Sequence, residues 1–474
     1  MQLLFSILAA VLVVCLNVGA QDVLVEEGHL TDRGDFKGAA VLLDNAAHVP
    51  GLSSERQKRL LFEREVLDRI RKDYSLTKEA LYQKLSASVK DLRPDEFEKW
   101  LADGWFDGRL IDGQMFFVDV SVSNLYFRHP ELNARRIGGK DTTKEQRERL
   151  EVCRAIKKAA EEEGKPYVLP HRFACTMTVN VKSNTVPPGD MIRAWLPIPR
   201  QYPFQNGFQM ESAEPSPKSI APASSPIRSA FFEERADANG SAKFEIAYTY
   251  TTHGIHFNLD PAAVKPFDAA DTTLAPFIQE APHVVFTEKI RDLAHEITGK
   301  ETNSMLKAKA FFDWIGSNVK YSFAREYSTL TNISDYCLTH RYGDCGQEAL
   351  LFITLCRSEG IPARWQTGWD LWPRAKDIHD WTEIYLAPYG WVPVDPWAGE
   401  FAMQYCPALT PAERQELHDF YFGGLDYYRM AANSDHSQKL DPPKMTLRSD
   451  DVDFQRGELE WSGGDIYFDR YSYN

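Results

Sequence analysis

The chain has 474 residues, 43% hydrophobic and 26% charged, the balance of folded globular domains and not of disordered or membrane-embedded chains. That length exceeds one ordinary core and predicts two to four domains. A formal net charge of −14, with no long run of Lys or Arg, argues against a nucleic-acid partner, because phosphate binding needs a clustered basic surface.

Residues 3–14 are apolar apart from Ser6, and Val18, Gly19 and Ala20 precede Gln21. This pattern predicts a secretory signal peptide over residues 1–20 and an exported product, secreted or periplasmic, with no stable membrane insertion once the signal is removed. Its n-region carries no Lys or Arg. Lipoprotein anchoring at Cys15 is the alternative, opposed by bulky Val14 where a small residue is needed. No other stretch approaches the ~18 apolar residues that span a bilayer. The other cysteines are Cys153, Cys175, Cys337, Cys345, Cys356 and Cys406, without CxxC spacing, so neither a zinc site nor a dense disulfide framework is indicated. If Cys345 is a free thiol, at most two disulfides can form among the remaining five.

Helical spacing dominates residues 21–165. Leu60, Leu67, Ile70 and Tyr74 form one stripe, and Leu81, Leu85 and Val89 a second. Pro94 sits at a helix start before Phe97, Trp100 and Leu101, with Gly104 as its stop. Asp107-Gly108 and Asp112-Gly113 are turn signals around Phe116, Val118 and Val120, and another helix is expected over 143–163. This region reads as a mainly helical accessory domain. Over residues 166–260 the period becomes two, in Met177, Val179 and Val181 and again in Phe244, Ile246, Tyr248 and Tyr250. A small β-sandwich is expected, with the Pro/Ser-rich stretch through Pro226 as loop or sheet edge. Residues 261–440 carry the chemistry, and 441–474 read as an extended segment with one late strand.

In Arg341-Tyr342-Gly343-Asp344-Cys345-Gly346-Gln347, Asp344 is placed to cap a helix beginning at Cys345, and Gln347 to reach back in a capping box. Gly360 and Pro362 close that helix. Cys345 then lies in the first turn, where free N–H groups and the helix dipole favour a thiolate and can hold an oxyanion. His379 opens a strand-like run 34 residues on, and after a turn at 387–390 a second strand ends at Asp395. A thiol, a base and an orienting carboxylate make a complete nucleophilic set. A tight turn at 387–390 would place Asp395 opposite Thr382, so a meeting with His379 calls for a longer loop or a bulge. Asp380 is expected on the opposite face from His379, and Glu383 in a structural polar role.

Four blocks, Arg341-x-Gly343-Asp344-Cys345-Gly346, Gly360-Ile361-Pro362-Ala363-Arg364, His379-x-Trp381-x-Glu383 and Gly390-Trp391-Val392-Pro393-Val394-Asp395-Pro396, resemble in order and spacing the core of the transglutaminase-like superfamily, over about residues 341–398. The helix expected over 303–318, leading to Tyr321, fits the usual lead-in. The resemblance implies a papain-like α+β fold, with Cys345 as nucleophile, His379 as general base and acid, and Asp395 as orienting group. It also suggests a secreted bacterial multidomain type, in which the β-region is a common companion. The superfamily holds cross-linking acyltransferases, peptidases, peptide N-glycanases and inactive relatives.

Six of the eleven tryptophans fall between residues 365 and 397. Most are expected in the core; Trp369 and Trp372, read as lying in a loop before His379, are the cleft candidates, with Tyr321 as a second oxyanion donor. No ligand-spaced cluster and no EF-hand-like loop is present, so no metal or other cofactor is expected. The expected activity is cleavage or transfer at peptide or amide bonds through a thioester. Protein-glutamine cross-linking with an amine acceptor is the second reading. A non-catalytic surface-binding protein on the same fold is the third.

Overall fold

The computed structural model describes residues 20–268 and 270–474, so the expected signal run and Cys15 lie outside the described residues. Among the described residues two compact units are formed: residues 20–139 with 325–329, and residues 140–324 with 330–474.

In the first unit the two apolar stripes become the helices Ser54–Asp73 and Lys78–Ser88, capped by Ser53 and Thr77, and Pro94–Ala102 has its proline at the helix start. Strands β1 (Gly108–Ile111) and β2 (Gln114–Phe117) form a two-residue hairpin. Its turn residues Asp112 and Gly113 both have positive φ, 48° and 88°, the conformation that matches the right-handed strand twist and that Asp-Gly accommodates. Phe36, Leu43, Leu67 and Ile70 build one core, and Leu81, Phe97, Trp100 and Leu125 a second.

The second unit opens with the helix Thr143–Glu163, grouped above with the accessory region; it packs against β3 (Tyr167–Val181), β8 (Ala242–His256) and the helix Pro411–Phe420. Between β3 and β8 lie β4 (Met191–Pro197), β5 (Gln205–Glu214), β6 (Ser219–Ile220) and β7 (Ser229–Arg235). The proline-rich stretch supplies β5, which pairs β8, and β6, a sheet edge. The chain goes on through β9 (Lys320–Tyr321), β10 (Tyr342–Gly343), β11 (Ala363–Trp372), β12 (Ala375–Leu386), β13 (Gly390–Val394), β14 (Gly424–Leu425), β15 (Arg429–Asn433), β16 (Glu458–Trp461), β17 (Gly464–Ile466) and β18 (Tyr471–Tyr473).

A mixed α/β architecture results. One five-stranded sheet has β14, β8, β3 and β18 in order with β5 also on β8, and a second runs β17-β16-β4-β7-β6. Val179, Ile192, Leu196, Phe232, Phe244, Ile246 and Leu459 from both sheets fill a single core, the sandwich that the period of two requires. The tail therefore contributes three strands, and β16 sits between β4 and β17 inside a sheet. In β16, Glu458 and Glu460 flank Leu459, all fully buried, with Lys444 and Arg448 on Glu458 and Arg193 on Glu460. The strand alternates Glu458-Leu459-Glu460-Trp461: Leu459 and Trp461 pack on the sandwich core, and the acidic residues between them are buried with basic partners.

The third sheet, β13-β12-β11-β15, is antiparallel, and the helix Cys345–Ser358 lies on β11 and β12. Its residues 346–357 are all buried, which explains its weak polar face. All six described cysteines are free, Cys356 fully buried.

Candidate active site

Cys345 begins its helix. Asp344 caps it, its carboxylate accepting the Gln347 N–H at 3.0 Å while Gln347 Oε1 accepts the Asp344 N–H at 3.3 Å. The half-buried thiol therefore stands at the positive end of the dipole. It lies beside β12 at Asp380, in the part of that strand that β13 does not pair, since β13 pairs β12 only from Thr382 to Leu386. Among the described residues the hydrogen-bond acceptor of the Cys345 thiol is Asp380 Oδ2, at 3.6 Å, and not His379. Asp380 is the immediate neighbour of His379 and is itself held by Gln455 Nε2, which donates to its Oδ1 at 2.6 Å.

His379 Nε2 lies 2.8 Å from Asp395 Oδ2. With Nε2–H donating to the carboxylate, Nδ1 is the basic nitrogen. The hairpin loop spans three residues between Leu386 and Gly390, so Thr382 faces Val394 and not Asp395. Asp395 is the next residue, and it leaves the strand as the cap of the helix Pro396–Gln404, its Oδ1 accepting the Ala398 N–H at 2.9 Å. Its Oδ2 then reaches His379 diagonally, without a bulge in β12–β13.

Arg429 on β15 donates to the same Asp395 oxygen at 2.5 Å and to Asp426 at 3.0 Å. Gly368, opposite His379 on β11, lets β15 come this close: a Cβ there would sit 1.7 Å from the Met430 carbonyl oxygen, at the β-bulge of that ladder. Arg149 extends the network, 3.6 Å from Asp370 and 3.2 Å from the Tyr421 hydroxyl, which bonds Asp426 at 3.3 Å. Burial opposes ionisation of Asp395, but the charges of His379 and Arg429 hold its carboxyl well below the usual range. Burial pushes Asp370 up to about 6. Three carboxyls (Asp370, Asp395, Asp426) face two guanidiniums (Arg149, Arg429) in this buried network.

The thiol also stands among carboxyls. Burial, then the charges of Asp380 and Asp344, push Cys345 well above an ordinary thiol, against the helix dipole and the N–H of Asp380. The expectation of a preformed thiolate from helix position alone overlooks these carboxyls.

Other side chains singled out in the sequence are placed as follows. Tyr321 has its phenol pushed up by burial and then by Cys345, while its N–H donates to Glu400 at 3.0 Å. Trp369 and Trp372 are strand residues of β11. Trp369 packs on the sandwich core, 6.0 Å from Tyr473, and Trp372 sits 4.4 Å from Tyr428 with Arg149 4.6 Å above it. The aromatics at the histidine are Trp397 and Trp381, their ring centroids 4.8 Å and 5.9 Å away. Glu383 bonds Arg364 at 2.7 Å and Gln366 at 2.8 Å, a structural role. Sequence reading missed Arg429, whose only local signal is the Asp426-x-x-Arg429 spacing. Asp313, His418 and Asp419 bring ligand atoms within 4.8 Å, but Lys309 already bonds Asp313 at 2.5 Å and Asp419 at 3.1 Å, and both His418 nitrogens are engaged.

Arg429→Met should destabilise the second unit by about 3–5 kcal/mol, by leaving Asp395 and Asp426 buried without their shared cation; urea unfolding followed by tryptophan fluorescence measures it. One turn after Cys345, Glu348 is fully buried with neither carboxyl oxygen partnered among the described residues, and Glu400 likewise leaves Oε2 unpartnered. Burial, and for Glu348 the Glu400 charge, push both carboxyls well up. From the unfolded value near ~4.3 up to the folded values the native chain binds more protons, so stability falls as pH rises. Glu348→Gln removes part of that loss. Its melting temperature should match wild type near pH ~4 and exceed it progressively towards pH ~8, and a pH-independent difference would contradict the assignment.

Residues 291–396 match the family model of the transglutaminase-like superfamily. Among curated proteins, the uncharacterized YebA of Bacillus subtilis is 28% identical over 131 residues, 24% of this chain and 18% of that protein. An uncharacterized Haemophilus influenzae protein is 27% identical over 146 residues, 25% of this chain and 38% of that one. The chain thus matches well under half the length of either relative. Of solved structures, a proposed cysteine protease from Cytophaga hutchinsonii has a TM-score of 0.38 at 23% identity, covering 48% of this chain and 78% of that one. The periplasmic domain of TgpA from Pseudomonas aeruginosa has a TM-score of 0.27 at 15% identity, over 57% and 96%. By its motifs and its match to the family model, the segment 291–396 belongs to the transglutaminase-like superfamily.

Proposed function

We propose that this chain is an exported cysteine hydrolase acting on peptide or amide bonds. The single observation that carries the reading is the buried His379–Asp395 pair, next in sequence to Asp380, which accepts from the Cys345 thiol. His379 Nδ1 takes the thiol proton as sulfur attacks the carbonyl carbon, and Asp395, held in place by Arg429, stabilises the imidazolium. The first-turn N–H groups at Cys345 and Gly346 hold the oxyanion, with the Tyr321 phenol as a second donor. His379 returns the proton to the leaving amine, leaving a thioester; His379 then deprotonates water, which releases the acid and restores the thiol. Water is favoured over an amine acceptor by abundance alone. Export rests on the apolar run at residues 3–14, and no described helix is long and apolar enough to cross a membrane.

Incubation with a pool of unstructured polypeptides and mass spectrometry of the products tests the reading. Cleavage should fall about 10³-fold or more in Cys345→Ala and His379→Ala. Incorporation of a small primary amine into glutamine in excess of cleavage would favour the cross-linking reading. Wild-type product equal to that of Cys345→Ala would contradict an enzyme of either kind.

A further inference from the structure

Beside Asp380, the acceptor of the Cys345 thiol, lie two buried acceptor oxygens without a hydrogen-bond partner among the described residues. Asp380 accepts from Cys345 and Gln455, and the Gln455 amide, its NH₂ committed to Asp380, leaves Oε1 buried without a hydrogen-bond partner among the described residues. Two residues earlier, Asp453 leaves Oδ1 buried and without a partner as well. These are built positions and not surface acids: Asp380, Asp453 and Gln455 are 3%, 7% and 0% exposed. Asp344 and Asp450 add two more carboxyls. Of the neighbouring cations, Arg456 stacks 3.5 Å from the Phe468 ring centroid, lies 3.7 Å from Asp450 and acts by its charge on Asp453, and Arg448 bonds Glu458 and the Asp453 carbonyl. His379 bears on Asp380 but is bonded to Asp395.

We propose that Asp380, Asp453 and Gln455 form a cation-accepting subsite beside Cys345, so that the acyl substrate presents a protonated amine or guanidinium next to the carbonyl that the thiol attacks. This rests on the cysteine-hydrolase reading and specifies its substrate. The unfilled groups are acceptors, so the complementary group is a donor. They stand among four carboxyls (Asp344, Asp380, Asp450 and Asp453) against two guanidiniums (Arg448 and Arg456), so the donor that fits is a charged one. Burial pushes Asp380 up to about 7 and Asp453 well up, and a bound cation would favour their ionised forms. Because Asp380, Asp344 and Asp453 all raise the Cys345 thiol, a substrate cation among them also lowers the cost of forming the thiolate. A cationic substrate would therefore help to activate its own nucleophile.

The test compares two electrophiles that differ in charge, 2-aminoethyl and 2-sulfonatoethyl methanethiosulfonate, on the full-length protein at fixed neutral pH and ionic strength. Each forms a mixed disulfide with Cys345 and releases methanesulfinate, and a Cys345→Ser protein corrects for the other thiols. The cationic-to-anionic rate ratio, divided by that of a free small thiol, should be about tenfold or more in wild type and fall several-fold in Asp380→Asn and Asp453→Asn. A wild-type ratio equal to that of the free thiol overturns the proposal even if a variant fails to fold. A high ratio unchanged in both folded variants overturns the assignment to these carboxyls. Loss of Cys345-dependent cleavage with the charge preference intact would count against the hydrolase reading alone.

Discussion

One oxygen atom, Asp395 Oδ2, joins most of what makes this site. It accepts from His379 at 2.8 Å and from Arg429 at 2.5 Å, while the other carboxylate oxygen caps the helix Pro396–Gln404. The Asp395 N–H donates to the Tyr421 carbonyl at 3.0 Å. The carboxylate is thus fixed from several sides by groups of three different elements, and the imidazole inherits that fixity. A buried carboxylate with so many donors stays ionised, which is what an orienting group needs if it is to stabilise an imidazolium and not take its proton.

Both halves of the site are acidic. Around His379 three carboxyls face two guanidiniums, so the environment there is net acidic. Around Cys345 the carboxyls Asp344, Asp380 and Asp453 disfavour the thiolate. Proton transfer from sulfur to His379 therefore relaxes one side and loads the other, and a positive charge brought in by substrate would relieve the loaded side.

What was legible in the sequence was what depends on short spacing. The capping box at Asp344 and Gln347, the helix ended at Gly360, and the two sheets of alternating apolar residues follow from patterns within a dozen positions. The hairpin register was displaced by one residue because the loop holds three residues and not two, a matter of turn geometry that Ala387-Pro388-Tyr389 does not announce. Contacts across long separations left no mark at all. Arg429 reaches Asp395 across two intervening strands, Gln455 reaches Asp380 from 75 positions on, and Arg193 meets Glu460 of β16 across 267 positions. Trp369 and Trp372 looked like a loop pair because the sequence does not show that β11 extends to Trp372.

The central claim is that His379, oriented by Asp395 and Arg429, is the base for Cys345. The pH dependence of Cys345 alkylation by iodoacetamide, in wild type and in His379→Ala, tests it most directly. The account predicts a His379-dependent contribution to the wild-type rate below the ordinary thiol pKa of ~8.5, absent from His379→Ala, whose rate should rise only on the alkaline side. Superimposable profiles in the two proteins would show that His379 does not act on the thiol and would contradict the account.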